Sequence, residues 1–349
     1  MHVHQLLSFS CVALVLLRST ICYAEQKEHV VKQEHEFSVS PHFEVEELGN
    51  GIFAAIHKEG GGAICNAGII DLGDRTLIFD TFLTPQAAGD LKSAAEALTG
   101  KSATIVVNSH SHNDHIWGNQ VFESQADIIS TSATREGIAT EGVKEFEWYK
   151  ANVAERLASL KRQYESADDD AKRGELSLWL TYYQQLADAM SSLAVVLPTL
   201  TFDERLILHG STRTAELIEY RNGHTNSDII LLLKQDSIVF MGDLLFVESH
   251  PYLGDGQPEA LVKILEEIRS MDANIFVPGH GPIGNKVNLQ MLIDYIEVCQ
   301  DIVNRMVSDG QSEEDVDRIA IPESFKSWQQ AGFFRSNLHF LYKKTSGRK

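Results

Sequence analysis

Cysteine is scarce: the 349-residue chain has four, at Cys11, Cys22, Cys65 and Cys299. None belongs to a C-x-x-C pair, which excludes a thiolate zinc finger and a dithiol redox motif. Cys11 and Cys22 fall in an amino-terminal segment that reads as an export signal, so the mature chain keeps two isolated cysteines and no disulfide framework. Cys65, beside a predicted strand, reads as an inert buried thiol. Basic residues are also in deficit, with 30 Lys and Arg against 49 Asp and Glu and a net charge of -19. A phosphate backbone or anionic membrane needs a basic face, so neither is an expected partner. Apolar runs of membrane-spanning length are missing too. Leu6 to Leu17 falls short of the roughly 20 residues a spanning helix needs, and Cys22-Tyr23-Ala24 offers small residues for cleavage before Glu25. Residues 1–24 therefore read as a signal peptide, the mature chain as exported (periplasmic or secreted), with no membrane insertion after cleavage. Gly60-Gly61-Gly62 lacks the Gly-Lys-Ser/Thr that would make it a phosphate loop and reads as a turn.

At 43% hydrophobic content the chain can bury a large core. Phe43 to Leu48, Ile52 to His57, Ile64 to Asp71 and Thr76 to Asp80 are short apolar or alternating runs, separated by glycine turns; they predict a β-meander. Thr84-Pro85 starts a helix that Gly100 closes. A strand at Ala103 to Val107, a short helical piece around Trp117 and a strand at Ala126 to Ser130 follow, giving an α/β class. Apolar and aromatic residues recur at three- and four-residue intervals on both sides of Ala167-Asp168-Asp169-Asp170, and predict an inserted helical hairpin over 141–197. Its aromatic stripe reads as packing. Strands are expected again at Leu206 to His209, Thr214 to Tyr220, Ile229 to Leu233 and Ser237 to Met241. A helix from Pro258 to Ser270, a strand at Ile275 to Val277, a helix over Gln290 to Val307 and carboxy-terminal helices within 286–349 complete the chain.

What is abundant is concentrated. His110-Ser111-His112-Asn113-Asp114-His115 puts three imidazoles and a carboxylate into six residues directly after a predicted strand. Nitrogen and carboxylate oxygen are ligands of zinc and neighbouring first-row metals. Further candidates sit in glycine-flanked loops at predicted strand ends: His224 in Gly223-His224-Thr225, Asp243 in Met241-Gly242-Asp243, and His280 in Pro278-Gly279-His280-Gly281. Seven such donors exceed one tetrahedral ion and suit a metal pair that shares a carboxylate.

The ordered set resembles the metallo-β-lactamase superfamily: H-x-H-x-D-H, then Gly-His-Thr, Gly-Asp and Pro-Gly-His-Gly, preceded by Asn66-Ala67-Gly68-Ile69 and Leu77-Ile78-Phe79-Asp80-Thr81. The resemblance implies a four-layer αβ/βα sandwich over 25–349 with the site at one edge of the sheets. It implies that His110, His112 and His224 bind one zinc, that Asp114, His115 and His280 bind a second, and that Asp243 bridges them; iron or manganese are alternatives. Asp80 would orient ligands from behind, and Asp228 would do the same or brace a turn. A hydroxide shared by the metals would attack a carbonyl or phosphoryl centre, with Asp114 orienting it.

A carboxylate at Asp243 is similar to thioesterases, lactonases and phosphodiesterases of this superfamily. The first β-lactamase subclass carries cysteine there and a substrate-gripping lysine three residues later, where this chain has Phe246; another carries serine in place of Asp243. The expected function is therefore a dinuclear zinc hydrolase of an ester-like, lactone, thioester or amide bond, a β-lactam among the candidate amides, acting on a small molecule. A persulfide dioxygenase-like iron enzyme and a non-catalytic metal-binding protein are the alternatives. Substrate contacts are expected from Glu59 to Ala63, from the hairpin, and from the loop Phe246 to Gln257, with His250 and Tyr252 as pocket candidates. Lys144, Arg156, Lys343 and Lys344 read as solvated surface charges. The oligomeric state is left open.

Overall fold

Alternating apolar residues build two sheets whose inner faces meet. The computed structural model describes residues 40–168 and 170–347; the segment read as a signal peptide lies outside them. Strands β1 (Phe43–Gly49), β2 (Ile52–His57), β3 (Ala67–Asp71) and β4 (Thr76–Phe79) pair antiparallel in chain order, the predicted meander. Helix α1 (Pro85–Thr99) then carries the chain to β5 (Ala103–Val107), which runs parallel to β4. Thr84 caps α1 by accepting from Ala87 N, and Gly100 ends it in the left-handed region. Strands β6 (Asp127–Thr131) and β7 (Leu200–Phe202) add in parallel and complete a seven-stranded sheet. In the second sheet, β8 (Arg205–His209), β9 (Thr214–Arg221), β10 (Ser227–Leu233) and β11 (Ile238–Phe240) are antiparallel, and β12 (Ile275–Val277) runs parallel to β11.

Because strand side chains alternate between faces, Leu77, Phe79, Ile105 and Val107 of the first sheet meet Leu217, Ile229, Leu231 and Phe240 of the second in one buried layer. The intervening residues face outward. Ile78 and Val106 pack under α1, while Ile230 and Val239 pack under α6 (Pro258–Ser270), α7 (Lys286–Ser308) and α8 (Gly332–Ser346). These four layers are the αβ/βα sandwich. Gly68 sits where the sheets press closest: a Cβ there would come within 2.7 Å of the Phe240 ring.

Four further α-helices and a 3₁₀ turn follow β5 and β6. They are α2 (Asn113–Ile116), a 3₁₀ turn at Trp117–Val121, α3 (Ser132–Gly137), and the hairpin α4 (Val143–Ser166) and α5 (Asp170–Ala189). Leu157, Leu160, Tyr183 and Leu186 zip the hairpin onto Leu83, Ile116 and Trp117. Among the described residues, no helix is long and apolar enough to cross a membrane.

Some elements differ from the sequence reading for physical reasons. The strand expected from Ile64 begins at Ala67, because Ile64 adopts φ 71° and Asn66 is spent on loop contacts. Strand β7 carries two exposed residues in three and so lacks the alternation that would reveal it. Helix α7 starts four residues early, at an Asn285 cap whose side chain accepts from Val287 N while Asn288 answers the Asn285 backbone.

A candidate metal centre at the sheet edge

Each candidate ligand stands where a strand gives way to a loop. His110 follows β5, His224 lies in the β9–β10 turn, Asp243 follows β11 and His280 follows β12. His115 sits on α2, one turn beyond His112. The structure brings all seven side chains to one point. One donor atom each from His110, His112, His224 and Asp243 fall within 4.8 Å of one another, as do those of Asp114, His115 and His280. Asp243 lies between the two groups: its carboxylate is 3.1 Å from His115 Nε2, 3.3 Å from His224 Nε2 and 3.4 Å from His280 Nε2. Gly279 is required beside it, since a Cβ there would land on Asp243 Oδ1.

The surrounding hydrogen bonds decide which ring nitrogens carry protons. Asp80, fully buried at φ 63°, accepts from Ser109 N at 2.7 Å and from Ser109 Oγ at 2.8 Å. It also accepts from His115 Nδ1 at 2.8 Å, so the neutral form of that ring presents a bare Nε2 toward Asp243, 3.1 Å away. Having donated its proton to Asp80, Ser109 Oγ must accept from His110 Nδ1 at 2.8 Å, so His110 Nε2 is bare as well. His112 donates from Nε2 to Asp255 at 3.0 Å and turns Nδ1 toward His224 Nε2, 3.0 Å away. Asp228 acts on the backbone. It accepts from His224 N, Thr225 N and Thr225 Oγ1, bracing the turn that presents His224 without touching the imidazole.

Burial and mutual charge distort every titration here. Burial disfavours a proton on His280, but Asp243 and Asp114 overcome it and raise the ring to about 9. Burial would raise Asp114, but His115 and His280 hold it down at about 2. His224 is pushed to about 3 by burial. The cluster thus holds shared protons beside bare donors. His110 Nε2 is buried without a hydrogen-bond partner, and His115 Nε2 and Asp243 Oδ1 face each other at 3.1 Å without hydrogen-bond alignment, an arrangement that costs energy unless another group completes it. A divalent cation is the partner that such a donor set fits.

A cavity of about 380 Å³ opens over the cluster. Asp114, His112, His224, Asp243 and His280 form its floor, and the hairpin overhangs it through Glu145, Tyr149, Trp179 and Tyr182. The aromatic stripe is therefore divided. Tyr183 and Leu186 pack as expected, whereas Tyr149, Trp179 and Tyr182 face the cavity. Tyr252 and Phe246 line it too. His250 does not: it is fully buried beneath the carboxy-terminal helices, 3.1 Å from Tyr295 Oη and packed against Trp328 and Phe334. Tyr252, two residues on, lines the cavity with its ring 6.2 Å from that of His112.

Several contributors carried no motif. Glu145 accepts from Asn113 Nδ2 at 3.0 Å, and burial raises its carboxyl to about 7. Asp255 holds His112. Asn66 donates from Nδ2 to Pro278 O and Gly281 O, fixing the His280 loop, and its Oδ1 accepts from His57 N. Gln329, Gln330 and Phe333 reach the rim from the far end of the chain. Asp255 and Glu145 lie in segments that overhang the site by position, but spacing alone did not single them out.

A profile described as the metallo-β-lactamase superfamily matches residues 60–280. Among solved structures, the chain is similar to a metallo-β-lactamase from Pontibacter korlensis, at 14% identity and TM-score 0.54, over 73% of this chain and 99% of that one. It is similar to one from Hirschia baltica at 15% identity and TM-score 0.52, over 73% and 97%. The chain belongs to the metallo-β-lactamase superfamily. At these identities the solved structures speak for the shared fold.

Proposed function

We propose that the chain is a dinuclear metal-dependent hydrolase that cleaves an ester-like, lactone, thioester or amide carbonyl, with zinc the metal its nitrogen and carboxylate donors favour. The observation that carries this reading is the convergence of seven donors with bare buried atoms at the floor of an open cavity. His110, His112 and His224 would hold one ion and Asp114, His115 and His280 the other, with Asp243 between them. When bound, such a pair supplies Lewis acidity and makes water a nucleophile near neutral pH.

The protein's own residues do the rest. Asp80 and Ser109 lock two imidazoles in the tautomer that presents Nε2. Asp114, on the cavity floor, is placed to orient water and carry its proton. Phe246 stacks on His280 with ring centroids 5.0 Å apart and keeps that ring in plane. A β-lactam carboxylate needs a cation to grip it, and Lys58, the one lysine on the wall, is engaged by Ser40 O and Glu44. Carbonyl substrates without that carboxylate suit the cavity better. A zinc-loaded sample screened against lactone, thioester, aryl ester, β-lactam and phosphodiester reporters tests this: turnover is expected among the first three. Preference for the phosphodiester, or turnover unaffected by His112→Ala, would contradict it.

We further propose that the protein works outside the cytoplasm after cleavage before Glu25, on the strength of Leu6 to Leu17 and Cys22-Tyr23-Ala24. Amino-terminal sequencing of the native protein checks this, and a cytoplasmic form that retains residues 1–24 would overturn it.

A further inference from the structure

The cavity wall opposite the metal floor has its own chemistry. Five rings form an unbroken arc: Tyr149 to Tyr182 at 6.1 Å between centroids, Tyr182 to Trp179 at 6.0 Å, Trp179 to Phe333 at 6.0 Å and Phe333 to Tyr252 at 5.6 Å. They come from the hairpin, from the start of α8 and from the loop after Asp243, so three separate segments converge on one surface. A carboxylate stands at each end. Glu145 is tied to Tyr182 through Asn113, which donates from Nδ2 to both at 3.0 Å and 2.9 Å. Its Oε1 takes that bond, and its Oε2 has no partner among the described residues. Asp255 closes the other end beside Tyr252.

One ring of the wall is fixed as an acceptor. Because Asn66 Nδ2 is spent on Pro278 O and Gly281 O, its Oδ1 faces His57, and the 3.0 Å contact to His57 Nδ1 requires that nitrogen to donate. His57 Nε2 is then a bare acceptor in a cavity-lining ring. No arginine lines the cavity, and its lysine is already paired. Aromatic faces flanked by carboxylates attract alkylammonium cations.

We propose that this arc is an ammonium subsite and that the molecules taken into the cavity carry a cationic amine or quaternary ammonium group, held by Trp179 and its neighbouring rings with Glu145 as counter-ion. That these molecules are carbonyl substrates rests on the hydrolase reading; the subsite does not. The test measures binding of benzyltrimethylammonium and of its neutral carbon isostere neopentylbenzene to the metal-loaded protein by tryptophan fluorescence at about pH 8.5, above the raised Glu145 carboxyl, so that the counter-ion is ionised. The cation is expected to bind at least about tenfold tighter than the isostere. Glu145→Gln, which keeps an acceptor for Asn113, should shrink that ratio at least about threefold, and Trp179→Leu should weaken both probes. Equal affinities in the wild type, or a ratio that Glu145→Gln leaves intact, would overturn the proposal. Aryl esters bearing trimethylammonium or carboxylate separate the two readings. Cation binding with no ester turnover leaves the subsite standing and sinks the hydrolase, whereas turnover that favours the carboxylate ester does the reverse.

Discussion

Asp80 never reaches the cavity, yet two imidazoles take their orientation from it, His115 directly and His110 through Ser109. In Asp80→Asn the amide N–H₂ would face either the Ser109 hydroxyl and His115 Nδ1–H together, which share Oδ2, or the Ser109 backbone N–H, which donates to Oδ1. Metal affinity should fall by about 10- to 100-fold with the fold retained, the usual penalty for removing such a brace; competition titration against a chelator measures it. Burial raises the thiols of Cys65 and Cys299 to about 12. Neither should react with a thiol reagent at pH 8 until denaturant is added, and stoichiometric labelling of the native protein would contradict this. The seven donors were legible in the sequence because each is a ligand type at a strand end. His250 was misread because a histidine in the same loop as Tyr252 looks identical in sequence whether it points at the cavity or into an aromatic core. Glu145 was invisible for the opposite reason: a glutamate on a helix surface is the least informative residue to meet.

At the level of elements, the strands and helices that bury an alternating or amphipathic face could be read closely, as β5 and α6 show. Those that depend on distant partners could not: β7 exists because β6 offers it an edge, and the rim at Gln329 to Phe333 is set by how α7 and α8 pack. The hairpin has a double allegiance, one face buried and one over the cavity, which a helical period cannot divide. Leu186 belongs to the buried face and is fully enclosed. Leu186→Ala should destabilise the protein by about 2–5 kcal/mol, read from denaturant unfolding. A loss below about 0.5 kcal/mol would mean that the hairpin does not pack as described.

Across the whole molecule, the four layers supply rigid strand ends, and the titrating cluster they carry ties stability to pH. His280 is raised from 6.5 to about 9 in the metal-free cluster, with Asp243 and Asp114 prevailing over burial. A group whose folded pKa is raised stabilises fully below its unfolded value and loses that contribution as pH climbs through the folded one. His115 and His112 shift in the same direction. Chelator-treated protein should therefore lose thermal stability between about pH 6.5 and 9, while metal-loaded protein, whose imidazoles are already neutral, should be flatter over that window. A metal-free melting temperature that rises across it would refute this.

The central claim is that seven side chains form one two-metal centre, and metal stoichiometry addresses it most directly. Purified mature protein, dialysed against metal-free buffer and assayed by elemental mass spectrometry, should hold two zinc ions or equivalent first-row ions per chain. Asp243→Ala, removing the carboxylate between the two groups, should hold no more than one. A wild-type protein without stoichiometric metal, or an Asp243→Ala variant that keeps both ions, would contradict the account.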